Sequence, residues 1–174
     1  MKASSLKGVF VPLVTPFARS GEAQPLDVAG FQRNVRAALA GPARGLVLFG
    51  STGEFVALTE REKHLLVDEA CAQRSEAGRP LIAGVGNEGC EADLLALARY
   101  ARRAGCDAVM VLPPHYYPQH RSESAVTSFF LRVAEASPLP VIMYSMPKCV
   151  DFEVADATVS DSNPIICLFV CFVC

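Results

Sequence analysis

The chain has 174 residues, of which 51% are hydrophobic and 20% are charged, so it can bury the core of one folded domain and does not resemble a disordered protein. Its net charge of -2 and the lack of a Lys/Arg-rich run argue against a nucleic-acid-binding protein. The longest late apolar run, Ile165 to Cys174, is about half of the ~20 residues that a membrane-spanning helix needs. We therefore take a soluble intracellular protein with no membrane or nucleic-acid partner as the default prediction.

The N-terminal segment from Met1 to Phe17 combines two lysines with an apolar run that two prolines interrupt. A signal peptide has a longer apolar region and a small-residue cleavage site, so we interpret this segment as the first strand and keep a signal peptide as the minor alternative. No clear targeting segment is present, which predicts a location in the cytoplasm or the mitochondrial matrix.

Cysteine occurs seven times, an odd number, at irregular spacing. Three cysteines (Cys167, Cys171 and Cys174) crowd the end of the chain, and no histidine lies near them. A metal site there is conceivable, but the pattern is more typical of buried or tail thiols in a reducing compartment. We predict no metal.

Six apolar runs predict β-strands, which are Val9 to Val14, Gly45 to Phe49, Leu81 to Val85, Ala108 to Leu112, Val141 to Tyr144 and Ile165 onward. Helical patterns lie between them, from about Leu26 to Leu39, from Thr59, from Glu91 to Ala104, from Ser122 to Ala136, and briefly near Val154. The strands are continuous apolar runs, which is typical of a parallel sheet that is covered on both faces.

Local signals mark several helix ends. Thr59 and Glu62 form a capping box at the start of the second helix, whose apolar residues Leu65, Leu66 and Ala70 are predicted to share one face. Three glycines that follow helices are expected in the left-handed conformation, namely Gly41, Gly78 and Gly105.

The repeat of strand and helix predicts an α/β fold in a single domain that spans residues 1–174. Successive strands are about 31 residues apart, close to one-eighth of a ~250-residue (β/α)8 barrel. A doubly wound sheet has the same alternation, so the periodicity does not choose between the two folds. A barrel needs eight strands and only six are found.

One glycine-rich segment, Gly84 to Gly89, matches the GxGxxG pattern of dinucleotide-binding proteins. However, it follows the third strand, whereas the fingerprint belongs to the first βα turn. Asp107 also precedes a strand, whereas the acidic residue of the fingerprint sits at a strand's C-terminal end. Dinucleotide binding therefore remains a rival interpretation only.

Polar groups follow the predicted strands at their C-terminal ends. Ser51 and Thr52 lie between two glycines after the second strand, in a turn that suits a carboxylate or a phosphate, although an ordinary turn has the same composition. His115-Tyr116-Tyr117 follows the fourth strand, and Tyr144 ends the fifth. In a barrel those strand ends share one face and build the active site. Tyr144 is then able to relay a proton if Thr52 and Tyr116 hydrogen-bond to it.

These residues resemble the family that contains dihydrodipicolinate synthase, N-acetylneuraminate lyase and 4-hydroxy-2-oxoglutarate aldolase. The resemblance runs in order through Gly8 to Phe17, LVLFGSTGEFVALTEREK up to Lys63, Pro80 to Asn87, Ala104 to Pro118, and PLPVIMYSMP up to Pro147. It implies a (β/α)8 TIM barrel, here incomplete with about six of eight βα units. It also implies a 2-oxo acid substrate such as pyruvate, held as a Schiff base on a lysine without another cofactor, and a homo-oligomer (dimer or tetramer).

The resemblance also implies residue roles. Ser51 and Thr52 are expected to hold the carboxylate of the 2-oxo acid. Thr52, Tyr144 and Tyr116 are expected to form the proton relay, in which Tyr116 reaches a neighbouring subunit's site and Tyr144 donates or accepts the proton. Synthases of this family usually carry an arginine where Cys149 stands, so the sequence looks more like a 4-hydroxy-2-oxoglutarate aldolase.

The Schiff-base lysine of the family lies on the sixth strand, at a position that corresponds to Val170. The four lysines of the chain are Lys2, Lys7, Lys63 and Lys148, and none is on that strand. Residues 1–164 are family-like and residues 165–174 form an atypical apolar, cysteine-rich tail. We therefore expect a C-terminally truncated carbon–carbon lyase that is inactive as this chain. A non-catalytic subunit that associates with full-length family members and a dihydrodipicolinate synthase-type condensation are the alternatives.

Overall fold

A computed structural model describes residues 6–19, 24–74, 78–86, 90–117, 119 and 121–146, and the backbone of residues 165–168. The strands are β1 (Phe10–Pro12), β2 (Gly45–Leu48), β3 (Leu81–Gly84), β4 (Ala108–Val111), β5 (Val141–Tyr144) and β6 (Ile165–Leu168). The helices are α1 (Val28–Ala40), α2 (Glu60–Arg74), α3 (Glu91–Ala104) and α4 (Glu123–Ala136), and two 3-10 turns, Ser51–Gly53 and Phe55–Ala57, follow β2. The predicted helix near Val154 lies outside the described residues.

The six strands form one parallel sheet in which the spatial order is the order in the chain. Each strand pairs only with its neighbours in the sequence, as in the pairings of Val47 with Ile82 and of Tyr144 with Leu168. A doubly wound sheet reverses its strand order at a switch point. No such reversal occurs among the described strands, so the doubly wound alternative is wrong and the fold is an incomplete (β/α)8 barrel.

The core has two layers because successive strand residues point to opposite faces of the sheet. The outer layer contains Leu46 and Leu48 of β2 with the buried faces of the helices. The inner layer contains Val47, Ile82 and Tyr144. Strands β2 to β5 are buried at every position, which explains their continuous apolar sequences.

The predicted capping box at the start of α2 is confirmed. The backbone N–H of Thr59 donates to the Glu62 carboxylate at 2.8 Å, and the backbone N–H of Glu62 lies 3.3 Å from the Thr59 hydroxyl. The Thr59 hydroxyl also donates to that carboxylate, at 2.7 Å. Three polar groups at the exposed helix end are thereby satisfied.

Two of the three predicted left-handed glycines are confirmed, since Gly78 has a φ of +58° and Gly105 a φ of +113°. The prediction for Gly41 is wrong: its φ is -77° and its ψ is -175°. Gly41 precedes Pro42, and the proline ring forces the preceding residue into an extended conformation. None of the described helices has the length and apolar character that a membrane span requires.

Replacing Glu62 by glutamine is expected to destabilise the chain at neutral pH but not in acid. The hydrogen bonds from the Thr59 hydroxyl and N–H lower the pKa of Glu62 in the folded chain. A carboxyl group whose pKa is lowered by folding contributes stability above its unfolded pKa and loses it as the pH falls through the folded pKa. At neutral pH we expect a loss of about 0.5 kcal/mol or less, because glutamine keeps an acceptor for the Thr59 N–H and loses only the charge that strengthens this exposed hydrogen bond.

Urea unfolding of wild type and Glu62→Gln at several pH values measures this effect. Glu60→Gln is the control, because it removes a carboxylate from the same first turn of α2. Its 3.8 Å contact is with His64 rather than with Thr59, and such an exposed pair contributes little stability. A Glu62→Gln loss that persists unchanged in acid would contradict the capping interaction.

Candidate active site

A pocket of about 290 Å³ opens at the C-terminal ends of β2 to β5. Each of these four strands contributes residues at or after its end. The pocket is lined by Phe49, Gly50, Ser51, Glu54, Phe55 and Val56 after β2, Gly84 and Gly86 at β3, Met110, Leu112 and His115 at β4, and Tyr144 and Met146 at β5. This is the face on which barrels place their active sites.

Ser51 and Tyr144 meet in this pocket. Their hydroxyl oxygens are 3.2 Å apart, close enough for a hydrogen bond in either direction. Tyr144 is only 2% exposed and packs in the inner layer of the core, whereas Ser51 is open to solvent. A buried phenol therefore contacts solvent through a hydroxyl at the pocket wall, which is a suitable arrangement for moving a proton.

The segment that follows β1 holds the turn that carries Ser51 in place. The buried Thr15, which follows β1, donates its hydroxyl to the carbonyl of Gly53 at 2.7 Å. A side chain at Gly53 would meet the carbonyl oxygen of Leu13 at 3.0 Å, so the turn packs directly on that segment. The sequence did not single out Thr15, because it lies next to an apolar run and its partner is 38 residues away.

Two residues with strained backbone lie on either side of this turn. Phe49 and Glu54, which flank it and line the pocket, have φ values of +59° and +53°. Side chains other than glycine rarely adopt this region, and such residues are typically kept at functional sites. No sequence signal indicated either of them.

Thr52 and Tyr116 do not line the pocket. Thr52 is exposed on the 3-10 turn beside Ser51. Tyr116 is 80% exposed, and its ring stacks edge-on against Tyr117 with a centroid distance of 4.9 Å. The structure thus brings Ser51 to Tyr144, and the relay through Thr52 and Tyr116 stays a prediction.

His115 is a polar group of the pocket to which the sequence assigned no role. Its Nδ1 atom is buried and has no hydrogen-bond partner among the described residues. Leaving a buried polar atom without a partner costs roughly 1–3 kcal/mol. Such an atom in a pocket wall suits a polar group of a bound ligand.

Lysine is absent from the described lining of this pocket. Lys7 is exposed, and the ammonium group of Lys63 lies 3.6 Å from the ring centroid of Phe55. Strand β6 has the sequence Ile-Ile-Cys-Leu. Lys2, Lys148, Cys149 and Val170 lie outside the described residues. Within the described part of the chain, no three histidine, cysteine or acidic side chains are grouped to hold a metal ion.

Residues 5–161 match the Dihydrodipicolinate synthetase family. The chain belongs to this family. Its members include aldolases and synthases, as the names of its relatives state. The chain is 37% identical over 147 residues to the 4-hydroxy-tetrahydrodipicolinate synthase of Methylobacterium radiotolerans. The aligned residues are 84% of the chain and 46% of that protein. It is 35% identical over 143 residues to the probable mitochondrial 4-hydroxy-2-oxoglutarate aldolase of Emericella nidulans, which covers 80% of the chain and 45% of that protein.

Solved structures of this family confirm the fold. The dihydrodipicolinate synthase of Agrobacterium tumefaciens superposes with a TM-score of 0.77 at 29% identity, over 90% of this chain and 50% of that one. The enzyme of Bacillus anthracis superposes with a TM-score of 0.75 at 28% identity, over 87% of this chain and 50% of that one. The chain therefore spans about half the length of the family members that it matches.

Proposed function

We propose that this chain carries the part of a 2-oxo acid aldolase site that binds substrate and transfers protons, and that it forms no Schiff base by itself. The reaction class is the pyruvate-forming cleavage of a carbon–carbon bond, as in the 4-hydroxy-2-oxoglutarate aldolases. The observation that supports this proposal is the contact of 3.2 Å between the Ser51 and Tyr144 hydroxyls in a pocket at the strand ends.

The turn after β2 provides the carboxylate site. In the 3-10 turn Ser51–Gly53, the N–H groups of Gly53 and Glu54 donate to Gly50 and Ser51 within the turn. The first N–H groups of such a turn, those of Ser51 and Thr52, have no acceptor inside it and point outward. Together with the Ser51 hydroxyl they suit the carboxylate of a 2-oxo acid, so Thr52 contributes to binding through its backbone.

Tyr144 provides the proton transfer. Cleavage of a 4-hydroxy-2-oxo acid requires removal of the proton from the C4 hydroxyl while the electrons of the C3–C4 bond move toward C2. In this proposal the Tyr144 phenol accepts that proton and releases its own to the Ser51 hydroxyl, and their contact supports this role. In this proposal Thr52 and the exposed Tyr116 extend the relay, and Tyr116 does so in a neighbouring subunit's site.

The electron sink is the missing part. Electrons that move toward C2 need a protonated imine there, and a neutral carbonyl is a much weaker acceptor. An amine that forms such an imine must approach the carbonyl within ~3–3.5 Å and have a lowered pKa. The exposed Lys7, and Lys63 beside the Phe55 ring, do not line the pocket.

A synthase-type condensation is the second candidate for the reaction. The name of the relative from Methylobacterium radiotolerans favours it. The relative from Emericella nidulans and the Cys149 position, where synthases usually carry an arginine, favour the aldolase. Both reactions use the same pyruvate-binding half of the site.

A non-catalytic subunit is the third candidate. The exposed rings of Tyr116 and Tyr117, which contact each other, favour association with another family subunit. Co-expression with a full-length family member followed by native mass spectrometry tests this candidate. Mixed oligomers would support it, and recovery of the two chains in separate species would argue against it.

Replacing Ser51 by alanine is expected to weaken pyruvate binding about 10-fold, the effect of one lost hydrogen bond to a charged group. The matched control is Thr52→Ala, because Thr52 is the exposed neighbour in the same turn. Since Thr52 contributes its backbone N–H, this variant is expected to bind within about 2-fold of wild type. Ligand-observed NMR titration of the folded chain with pyruvate measures both affinities.

Two outcomes would contradict the proposed site. One is a folded wild-type chain that shows no saturable pyruvate binding. The other is equal affinity of Ser51→Ala and wild type. A larger loss of pyruvate affinity in Thr52→Ala than in Ser51→Ala would indicate that the Thr52 hydroxyl, rather than the Ser51 hydroxyl, contacts the carboxylate.

A further inference from the structure

Two thiols lie together at the end of the barrel opposite the pocket. Cys71 is in the last turns of α2, and Cys106 is in the short segment between α3 and β4. Their sulfur atoms are 4.0 Å apart, although 35 residues separate them. Cys106 is 2% exposed, whereas Cys71 is partly open to solvent.

The surroundings distinguish the two thiols. Arg74 lies one turn after Cys71 on α2, and its guanidinium forms an ion pair with Asp107. A side chain at Gly105 would lie 3.9 Å from that guanidinium and 4.0 Å from the Cys71 sulfur. Hydrogen bonding with the Cys106 thiol, followed by the positive charge of Arg74, lowers the pKa of Cys71 despite its partial burial and the nearby carboxylates of Asp68 and Asp107. The contact with Cys71 and burial raise the pKa of Cys106.

We propose that Cys71 and Cys106 form a redox modification site, in which a peroxide closes a disulfide between α2 and the segment that precedes β4. The site is independent of the pocket and of the proposed 2-oxo acid chemistry. It rests on the sulfur–sulfur distance and on the unequal exposure of the two thiols.

The chemistry takes two steps. The Cys71 thiolate attacks one oxygen of the peroxide, so that an S–O bond forms, the O–O bond breaks, and hydroxide leaves and takes up a proton to become water. The Cys106 thiol then loses its proton and attacks the Cys71 sulfur, so that the S–S bond forms and the S–O bond breaks with loss of a second water. Two thiols are oxidised by two electrons, and one hydrogen peroxide is reduced to two waters.

The geometry allows this closure with small movements. A disulfide requires the sulfur atoms to approach to ~2.05 Å, about 2 Å closer than the two thiols are. Cys71 lies on an outer helix, where rotation about its χ1 angle moves the sulfur without moving the backbone. The buried Cys106 is then the resolving thiol, protected from direct oxidation by its burial.

Peptide mapping after oxidation tests the proposal without an activity assay. The reduced, folded chain is treated with hydrogen peroxide, the remaining thiols are alkylated, and the chain is digested with trypsin without reduction. Cys71 lies in the tryptic peptide 64–74, Cys106 in 104–121, and the exposed Cys90 in a third peptide, so each thiol is followed separately. We expect a linked pair of peptides 64–74 and 104–121, and loss of the Cys71 thiol at least about 10-fold faster than loss of the Cys90 thiol.

Variants and a denatured control make the result specific. In Cys106→Ser, peroxide is expected to leave a sulfenic acid on Cys71 that dimedone traps, and in Cys71→Ser the Cys106 thiol is expected to stay reduced. In urea the preference for this pair is expected to disappear, because it depends on the folded proximity of the thiols. The proposal is overturned if Cys90 is oxidised in the folded chain while Cys71 and Cys106 remain alkylatable. It is equally overturned if the pairing is the same in urea.

Discussion

Replacing Phe130 by alanine is expected to lower the free energy of unfolding by about 3–5 kcal/mol, the usual cost of removing a buried phenylalanine ring. Phe130 is fully buried at 0% exposure on the inner side of α4. Its ring packs edge-on against Phe129 with a centroid distance of 5.3 Å. The surrounding helix and sheet residues fill only part of the cavity that alanine leaves, so most of the loss remains. Urea unfolding measured by circular dichroism checks it.

Leu131→Ala is the matched control for this prediction. Leu131 follows Phe130 on the same helix but is 41% exposed. Its truncation removes a similar helix-forming residue without opening a cavity, so we expect a loss below about 1 kcal/mol. Equal losses in the two variants would contradict the packing of α4 on the sheet.

Replacing Gly84 by alanine is expected to cost about 2–3 kcal/mol, near the upper end of the usual overpacking penalty. Gly84 ends β3 and lines the pocket. An added methyl group would collide with the carbonyl oxygen of Phe49 and lie 2.9 Å from its carbonyl carbon and 3.1 Å from the carbonyl oxygen of Leu48. These are backbone atoms, so relief requires β2 and β3 to separate below the Ser51 turn. Both stability and pyruvate affinity are therefore expected to fall.

Gly50→Ala is the control for the added methyl group. Gly50 has an ordinary φ of -73°, and among the described residues its new methyl group would meet only the Met110 side chain, at 3.7 Å. We expect a change in the free energy of unfolding below about 1 kcal/mol. If Gly84→Ala is as stable as Gly50→Ala, the close approach of β2 and β3 at the pocket is wrong.

The elements of this fold are largely predictable from the sequence because their signals are local. The periodic apolar residues of α3 predict its observed limits, Glu91 and Ala104, and the capping box locates the start of α2. The order of the strands is not a local property. Strand–helix spacing alone therefore leaves a barrel and a doubly wound sheet equally possible, and only the observed sequential pairing decides between them.

The sequence pattern does not predict correctly which side chains of α2 are buried. In α2 the predicted buried face contains Leu65, Leu66 and Ala70, but Leu65 is 40% exposed and Val67 is fully buried instead. The residues on either side of Leu66 are both apolar, so periodicity does not distinguish them. The rotation of α2 is decided by its packing against α1 and α3, which is a tertiary effect.

The candidate site is predictable in part for the same reason. Ser51 follows the end of β2 and Tyr144 ends β5. The barrel rule places such residues together, as their contact of 3.2 Å shows. Thr15 and the strained residues Phe49 and Glu54 carry no sequence signal. The position of His115 after the fourth strand is visible in the sequence, but the lack of a partner for its Nδ1 among the described residues is not. Their importance arises only from atoms that the fold brings to them.

Borohydride trapping with pyruvate is the most direct test of the central claim, which is that the chain retains the binding groups of a 2-oxo acid aldolase without its electron sink. The folded chain is incubated with pyruvate, reduced, and mapped by intact mass and by peptides, next to a family member that has the sixth-strand lysine. We predict saturable pyruvate binding with no adduct on this chain, and an adduct on the family member. A stable pyruvate adduct on any lysine of this chain, including Lys148, would contradict the claim. The modified lysine would then be identified as the Schiff-base residue.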